Sequence, residues 1–204
     1  LSSLAGYWEE RSKATNEILS VAKYTADFSA MDGLCFIYEQ GRVKRGEWYR
    51  GGRMERVMME FDEKVRTEFG EGGEKCFVGE YRNDVASGFC REGKGCVLEG
   101  GVVARVNMYA NGEEVRRWKV LVDEVMTEMD DKGVVVYVGE YAENPELFCP
   151  RNGRGTVFEN GVLKCVGVFE GDAMKRKELE FEKGLMREYD EEGKMVYWGG
   201  YVKN

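Results

Sequence analysis

Short stretches in which apolar and polar residues alternate follow one another along most of the chain, and turn residues separate them. In the last third of the sequence these stretches are 155–158, 162–169, 175–181, 185–189 and 195–201. A period of two is typical of a strand with one buried face. The breaks contain glycine, and Asn160-Gly161 is a dipeptide favoured in two-residue hairpin turns. The pattern predicts a mainly β protein built from consecutive β-hairpins.

The same pattern returns at a fixed interval. Three segments of the form aromatic-x-Gly-x-aromatic begin at Phe77, Tyr137 and Tyr197, so successive segments lie 60 residues apart. Other positions that keep this spacing are Gly33, Gly93 and Gly153, and Glu39, Glu99 and Glu159. Identical spacing at this many positions predicts an internal repeat. The units are about 33–92, 93–152 and 153–204.

Each unit contains five alternating stretches, which is an awkward number for a simple meander. An odd number of strands reverses the strand direction from one unit to the next, so equivalent residues would not be equivalent in space. We therefore expect a sixth short strand in the rest of the unit, around 147–149 and its counterpart 88–90.

The segment before the repeats has a different pattern. Residues 7–24 contain no glycine or proline, and their apolar positions follow helical spacing in part. We expect one N-terminal α-helix within residues 1–30. Its role would be to cap the first hairpin or cover one sheet face, because a repeat array needs protected ends. A helix that binds a partner or a membrane surface is the alternative.

One unit carries a recognisable order of motifs. Tyr137-Val-Gly139-Glu-Tyr141 precedes a Gly-x-Gly pair at 153–155, an Asn-Gly turn at 160–161 and a further Gly-x-aromatic strand at 167–169. This order resembles MORN repeats, and the resemblance covers residues of about 32–204. The middle hairpins, 54–69, 114–129 and 174–189, depart from it because they lack the glycines.

The resemblance to MORN repeats implies an elongated, twisted antiparallel sheet of consecutive hairpins. It also implies a role in protein assembly, including cytoskeletal or ciliary structures and dimers. Association with membranes or phosphoinositides, and service as an accessory module beside a catalytic domain outside this chain, are alternatives that the family suggests.

Composition narrows the chemistry. The 204 residues include 30 Lys and Arg, 38 Asp and Glu and no His, which gives a net charge of −8. Without His, the chain has no Ser-His-Asp relay and no His-ligated metal of its own. The acidic balance argues against nucleic-acid binding, which needs cations for the phosphates. Since no nucleotide-binding or hydrolase motif is present either, we expect no enzyme, no catalytic residue, no cofactor and no metal.

Cysteine usage indicates a reducing compartment. The chain has six Cys but no Cys-x-x-Cys pair. Irregular spacing in a chain of this size favours free thiols over a disulfide framework or a zinc site. We therefore expect a cytoplasmic protein.

Residues that depart from the repeat are the first candidates for partner binding. Trp118 stands where the other units have Met58 and Glu178. An aromatic side chain at this position could anchor a partner, or it could cover a neighbouring strand. Arg116 and Arg117 precede it and form a basic cluster with Lys119, and a second basic cluster spans 175–177.

Acidic residues that recur on the polar phase are the second candidates. Glu68, Glu128 and Glu188 follow the 60-residue spacing. Such a stripe could bind a basic partner or a divalent cation. The alternative is a solvated sheet face whose charges discourage edge-to-edge association.

These observations favour a protein-interaction scaffold or assembly module in the cytoplasm, associated with cytoskeleton or cilium. We expect a protein partner, which includes a second copy of the chain, and no nucleic acid. Membrane lipid is the weaker alternative because the basic residues are few.

Overall fold

The structure is a computed structural model that describes residues 3–4, 7–27, 29–83 and 89–201, with only the backbone of 3, 4 and 7. Its regular structure is β throughout these ranges, apart from one 3₁₀ turn at Pro145–Leu147. The prediction of a mainly β, hairpin-rich repeat protein is therefore confirmed.

The strands are short and follow the alternating stretches of the sequence. They are β1 (Ser3–Leu4), β2 (Tyr7–Arg11), β3 (Ile18–Tyr24), β4 (Met31–Glu39), β5 (Arg42–Arg50), β6 (Arg53–Asp62), β7 (Val65–Phe69), β8 (Lys75–Tyr81), β9 (Arg91–Glu99), β10 (Val102–Ala110), β11 (Glu113–Val122), β12 (Val125–Met129), β13 (Val135–Tyr141), β14 (Arg151–Glu159), β15 (Val162–Glu170), β16 (Ala173–Glu182), β17 (Leu185–Tyr189) and β18 (Met195–Gly200).

The chain divides into two compact units. The first comprises residues 1–102 and 109–113, and the second comprises 103–108 and 114–204. In the described part of the first unit, each strand from β1 to β9 pairs antiparallel with the next. The second unit has the same open meander from β11 to β18.

The expected sixth strand is absent from the described residues. Its proposed position at 147–149 holds the end of the 3₁₀ turn, followed by Phe148 and Cys149 with φ of 56° and 51°. Left-handed backbone at two successive residues is incompatible with a strand. In the counterpart at 88–90, Phe89 also has a positive φ, of 55°, and Gly88 lies outside the described residues. Each repeat therefore has five strands.

The predicted N-terminal helix is wrong. Residues 7–24 form the hairpin of β2 and β3, in which Trp8 faces Ala22. The Ser12 hydroxyl accepts hydrogen bonds from the amides of Ala14 and Thr15 (3.3 and 3.2 Å), and Asn16 takes a φ of 59°. Serine and asparagine make this turn without glycine, so the sequence shows no break where the chain reverses.

This hairpin continues the repeat toward the N-terminus. Ser20 pairs with Glu10 on one side and Ile37 on the other. Phe77 pairs with Glu68 and Val97 in the same way. Positions 37 and 97 are 60 residues apart, so Ser20 occupies the place of Phe77. A loop that is one residue longer than in the other units hides the spacing from the sequence.

Five strands per repeat place equivalent residues on opposite faces of a unit. Direct cross-strand partners share a face. In the first unit such partners run in the order Val21, Phe36, Gly46, Met59, Glu68 and Phe77. Phe77 is thus on the face of Val21, whereas its equivalent Ser20 is on the opposite face.

The core of the first unit forms on this face. Its members are Val21, Phe36, Val43, Phe61 and Phe89. Phe89 comes from the loop between β8 and β9, and its ring lies 4.6 Å from that of Phe36 and 5.1 Å from that of Phe61. The long loop therefore supplies a large apolar side chain that covers the sheet.

Candidate protein-binding edge

One side-chain cluster recurs in the structure and is built around an arginine. In the second unit Arg151 lies at the start of β14, and its Nε is 3.1 Å from the Glu128 carboxylate. The guanidinium group also lies 4.6 Å from the centre of the Tyr137 ring and 5.8 Å from that of Phe169. These two rings are nearly perpendicular, at 85°. The arginine thus joins a charge pair to cation–π contacts.

The first unit holds the same cluster 60 residues earlier. Arg91 is 2.8 Å from the Glu68 carboxylate and lies 3.9 Å from the centre of the Phe77 ring. The Phe77 and Tyr109 rings meet at 88°. Burial alone would raise the pKa of Glu68, but the Arg91 hydrogen bond and the charges of Arg66 and Arg91 lower it below its ordinary value. This carboxylate is a partner of arginine and is not a free ligand.

Glycines make room for the central ring. The Tyr137 side chain leans along its own strand over Gly139, which faces Gly155 on β14. A Cβ added to Gly139 would lie 2.6 Å from the tyrosine oxygen and 2.6 Å from the Arg154 carbonyl oxygen. Tyr137 is 0% exposed as a result. The aromatic-x-Gly-x-aromatic signature therefore encodes a ring that lies on the backbone of two strands.

The third copy of the cluster is incomplete. Glu188 on β17 faces Tyr197 on β18, as Glu128 faces Tyr137. Among the described residues no arginine reaches Glu188, which is exposed and has neither an ion pair nor a side-chain hydrogen bond. Tyr197 is 45% exposed although its equivalents Phe77 and Tyr137 are completely buried.

The strand that carries Tyr197 is open along one edge. β17 pairs with β18 on one side, and no described strand pairs with the other side. The neighbours Met195, Val196 and Trp198 are exposed as well, Trp198 by 61%. An edge strand with free backbone groups and large apolar side chains is a template for pairing with another chain. We call β18 together with Glu188 the open edge.

The structure separates the predicted acidic stripe. Glu128 and Tyr137 share a face with the partners that follow them, in the order Val157, Cys165, Glu180, Arg187 and Trp198. Glu188 pairs with Tyr197 on the opposite face of the same unit. Glu128 and Glu188 therefore cannot act together on one ligand.

The basic cluster around Trp118 is divided as well. Arg116 forms an ion pair with Asp131, whereas Arg117 is exposed and points to the other face with Lys119. Lys119 is 2% exposed and donates hydrogen bonds to the carbonyl oxygens of Phe148 (3.1 Å) and Cys149 (2.9 Å). Burial lowers its pKa, although acidic neighbours oppose this effect.

Trp118 and the second basic cluster have partners within the chain. The Trp118 ring lies 4.5 Å from the Lys119 ammonium group and is half-buried, which is consistent with a role in covering its neighbour. The cations at 175–177 pair with glutamates in turn, in the contacts Lys175–Glu170 (3.5 Å), Arg176–Glu178 (2.8 Å) and Lys177–Glu180 (2.6 Å).

Several other kinds of site leave no trace in the part of the chain that the structure describes. No group of three or more Cys, Asp or Glu there could hold a metal ion. No described helix is long and apolar enough to cross a membrane. All six cysteines are free thiols, and burial raises the pKa of Cys35 to about 12.

Comparison with known proteins adds little. No protein-family model and no curated protein matches this chain. Among solved structures it is similar to an alternansucrase in complex with isomaltononaose, with 14% identity and a TM-score of 0.20. The match covers 94% of this chain but 16% of the other, and a TM-score this low carries no argument. Membership of the MORN family stays a prediction.

The arginines of the repeated cluster escaped the sequence reasoning, although a signal was present. Arg91 and Arg151 follow the 60-residue spacing, and Met31 takes their place in the preceding unit. Their roles became visible only when the structure brought them against Glu68 and Glu128.

Proposed function

We propose that this chain is a non-enzymatic protein-interaction scaffold and that the open edge is its binding surface. The observation that carries the proposal is the contrast between Tyr197, which is exposed, and Tyr137, which is buried under β14 and Arg151. The same side chain in the same local frame lacks the strand that covers it elsewhere. A partner that adds a strand to β18 would supply this cover by β-augmentation.

A protein partner suits the charges better than a lipid. The cations at 175–177 are paired with glutamates, and Arg116 is paired with Asp131. An anionic membrane surface would have to compete with these carboxylates, in a chain whose net charge is −8. A cytoplasmic, cytoskeletal or ciliary location stays a prediction.

Selection of random peptides displayed on phage tests the proposal without knowledge of the partner. The immobilised 204-residue chain is expected to retain peptides that no longer bind the Val196→Lys/Trp198→Lys double variant. Both side chains are exposed, so the charges should block strand pairing and preserve the fold. Leu147→Lys, at an exposed position on the 3₁₀ turn, is the matched control.

The outcome that contradicts the proposal is equally definite. Peptides that bind the double variant as well as the wild type would exclude the open edge as the surface. Binding of the chain to phosphoinositide liposomes, with no peptide retained, would favour the lipid alternative.

A further inference from the structure

We infer that the open edge recognises an extended protein segment that carries an arginine, a glycine four residues later and a valine six residues later. The arginine would bind Glu188 and Tyr197. The inference rests on the proposed function and adds the chemistry of the partner to it. Its basis is the pair of strands, β9 and β14, that cover the two equivalent edges in this chain.

The covering strands are alike at the positions that touch the edge. Opposite the aromatic residue lies a valine, in the pairs Phe77–Val97 and Tyr137–Val157. Opposite the glycine of the signature lies another glycine, in the pairs Gly79–Gly95 and Gly139–Gly155. An incoming strand in this register would place its valine opposite Tyr197 and its glycine opposite Gly199.

The glycine is a steric requirement in both covered copies. A Cβ placed on Gly95 or Gly155 would collide with the ring of Phe77 or Tyr137. The Tyr197 ring leans over Gly199 in the same way. A segment with a larger residue at this point could bind only if the ring moved.

The arginine follows from charge. Arg91 and Arg151 begin their strands four residues before the glycines, and each binds the glutamate that faces the signature ring. Glu188 is the corresponding glutamate and has no cation near it among the described residues. A second copy of the chain joined β18 to β18 would bring none, because residues 195–200 contain no Lys or Arg. A segment from another protein, with its own arginine, fits better.

A peptide copied from residues 150–160 of the chain is the probe, because it contains all three features. Its fluorescence anisotropy is measured against the full chain, beside an Arg151→Ala peptide and a Gly155→Val peptide. We expect both changes to weaken binding by about tenfold or more, since a charge-assisted contact and a steric fit are lost. Against a Glu188→Gln chain, the arginine and alanine peptides should bind within about twofold of each other.

Equal binding of the three peptides to the wild type, or an arginine preference that survives Glu188→Gln, would overturn the inference. Since Glu188 is exposed, its substitution should leave the fold intact. If phage-displayed peptides bind at the open edge while the 150–160 peptide does not, the inference fails and the proposed function stands. If the double variant binds every peptide as well as the wild type, the proposed function fails.

Discussion

At the scale of single residues, Arg151 makes the most varied contacts in the second unit. It pairs with Glu128, whose side chain is 11% exposed, and lies over the Tyr137 ring. We predict that Arg151→Ala lowers the free energy of unfolding by about 2–3 kcal/mol, because it leaves a largely buried carboxylate without its cation. Arg117→Ala removes an exposed arginine and should cost less than about 0.5 kcal/mol. Urea denaturation of both variants checks the difference, and equal costs would contradict it.

The Glu68 carboxylate makes stability depend on pH. Its pKa is lowered in the folded chain from the ordinary value of 4.5. A lowered pKa contributes stability that is present above the ordinary value and is lost as pH falls through the folded one. We predict that Glu68→Gln is less stable than the wild type at pH 7 and that the gap narrows below about pH 4.5. A gap that stays constant from pH 7 to pH 3 would show that the charge pair is not its source.

At the scale of strands, the signature glycines are predicted to be steric requirements. Gly139→Ala should cost about 1–3 kcal/mol, because the added carbon meets the Arg154 carbonyl oxygen as well as the Tyr137 ring. Gly200→Ala, with nothing closer than 4.0 Å, is the matched control and should stay within about 0.5 kcal/mol. The two melting curves decide, since a cost at both positions would indicate a general preference for glycine in these strands.

The β2–β3 hairpin is predicted to be part of the first unit's core. Val21 is buried against the face of Phe36, whereas Leu19 on the same strand is exposed. Val21→Ala should therefore cost about 1–2 kcal/mol, and Leu19→Ala much less. Equilibrium unfolding followed by tryptophan fluorescence measures both. Similar small losses would mean that this hairpin adds no core.

Strands that end in glycine turns could be predicted from the sequence, and the hairpin at 7–24 could not. Alternation and Asn160-Gly161 mark β14 and β15 without ambiguity. Ser12 and Asn16 make an equivalent reversal with a hydroxyl acceptor and a left-handed asparagine. Both residue types are also common elsewhere, so the turn left the segment open to a helical interpretation.

At the scale of the whole molecule, the repeat period was visible but its spatial consequence was not. Glu128 and Glu188 are equivalent in sequence, yet five strands per repeat put them on opposite faces of the second unit. No spacing reveals this, because the outcome depends on strand count and on the bulges that shift register. The open edge was hidden for a related reason: Tyr197 matches Tyr137 in sequence and differs in what covers it.

Amide hydrogen exchange of β18, alone and with the 150–160 peptide, tests the central claim most directly. The account predicts that β18 in the free chain exchanges much faster than β13, whose two edges are both paired. Added peptide should slow exchange at β18 and leave β13 unchanged. Protection of β18 equal to that of β13 without any peptide would contradict the claim that this edge is open to a partner.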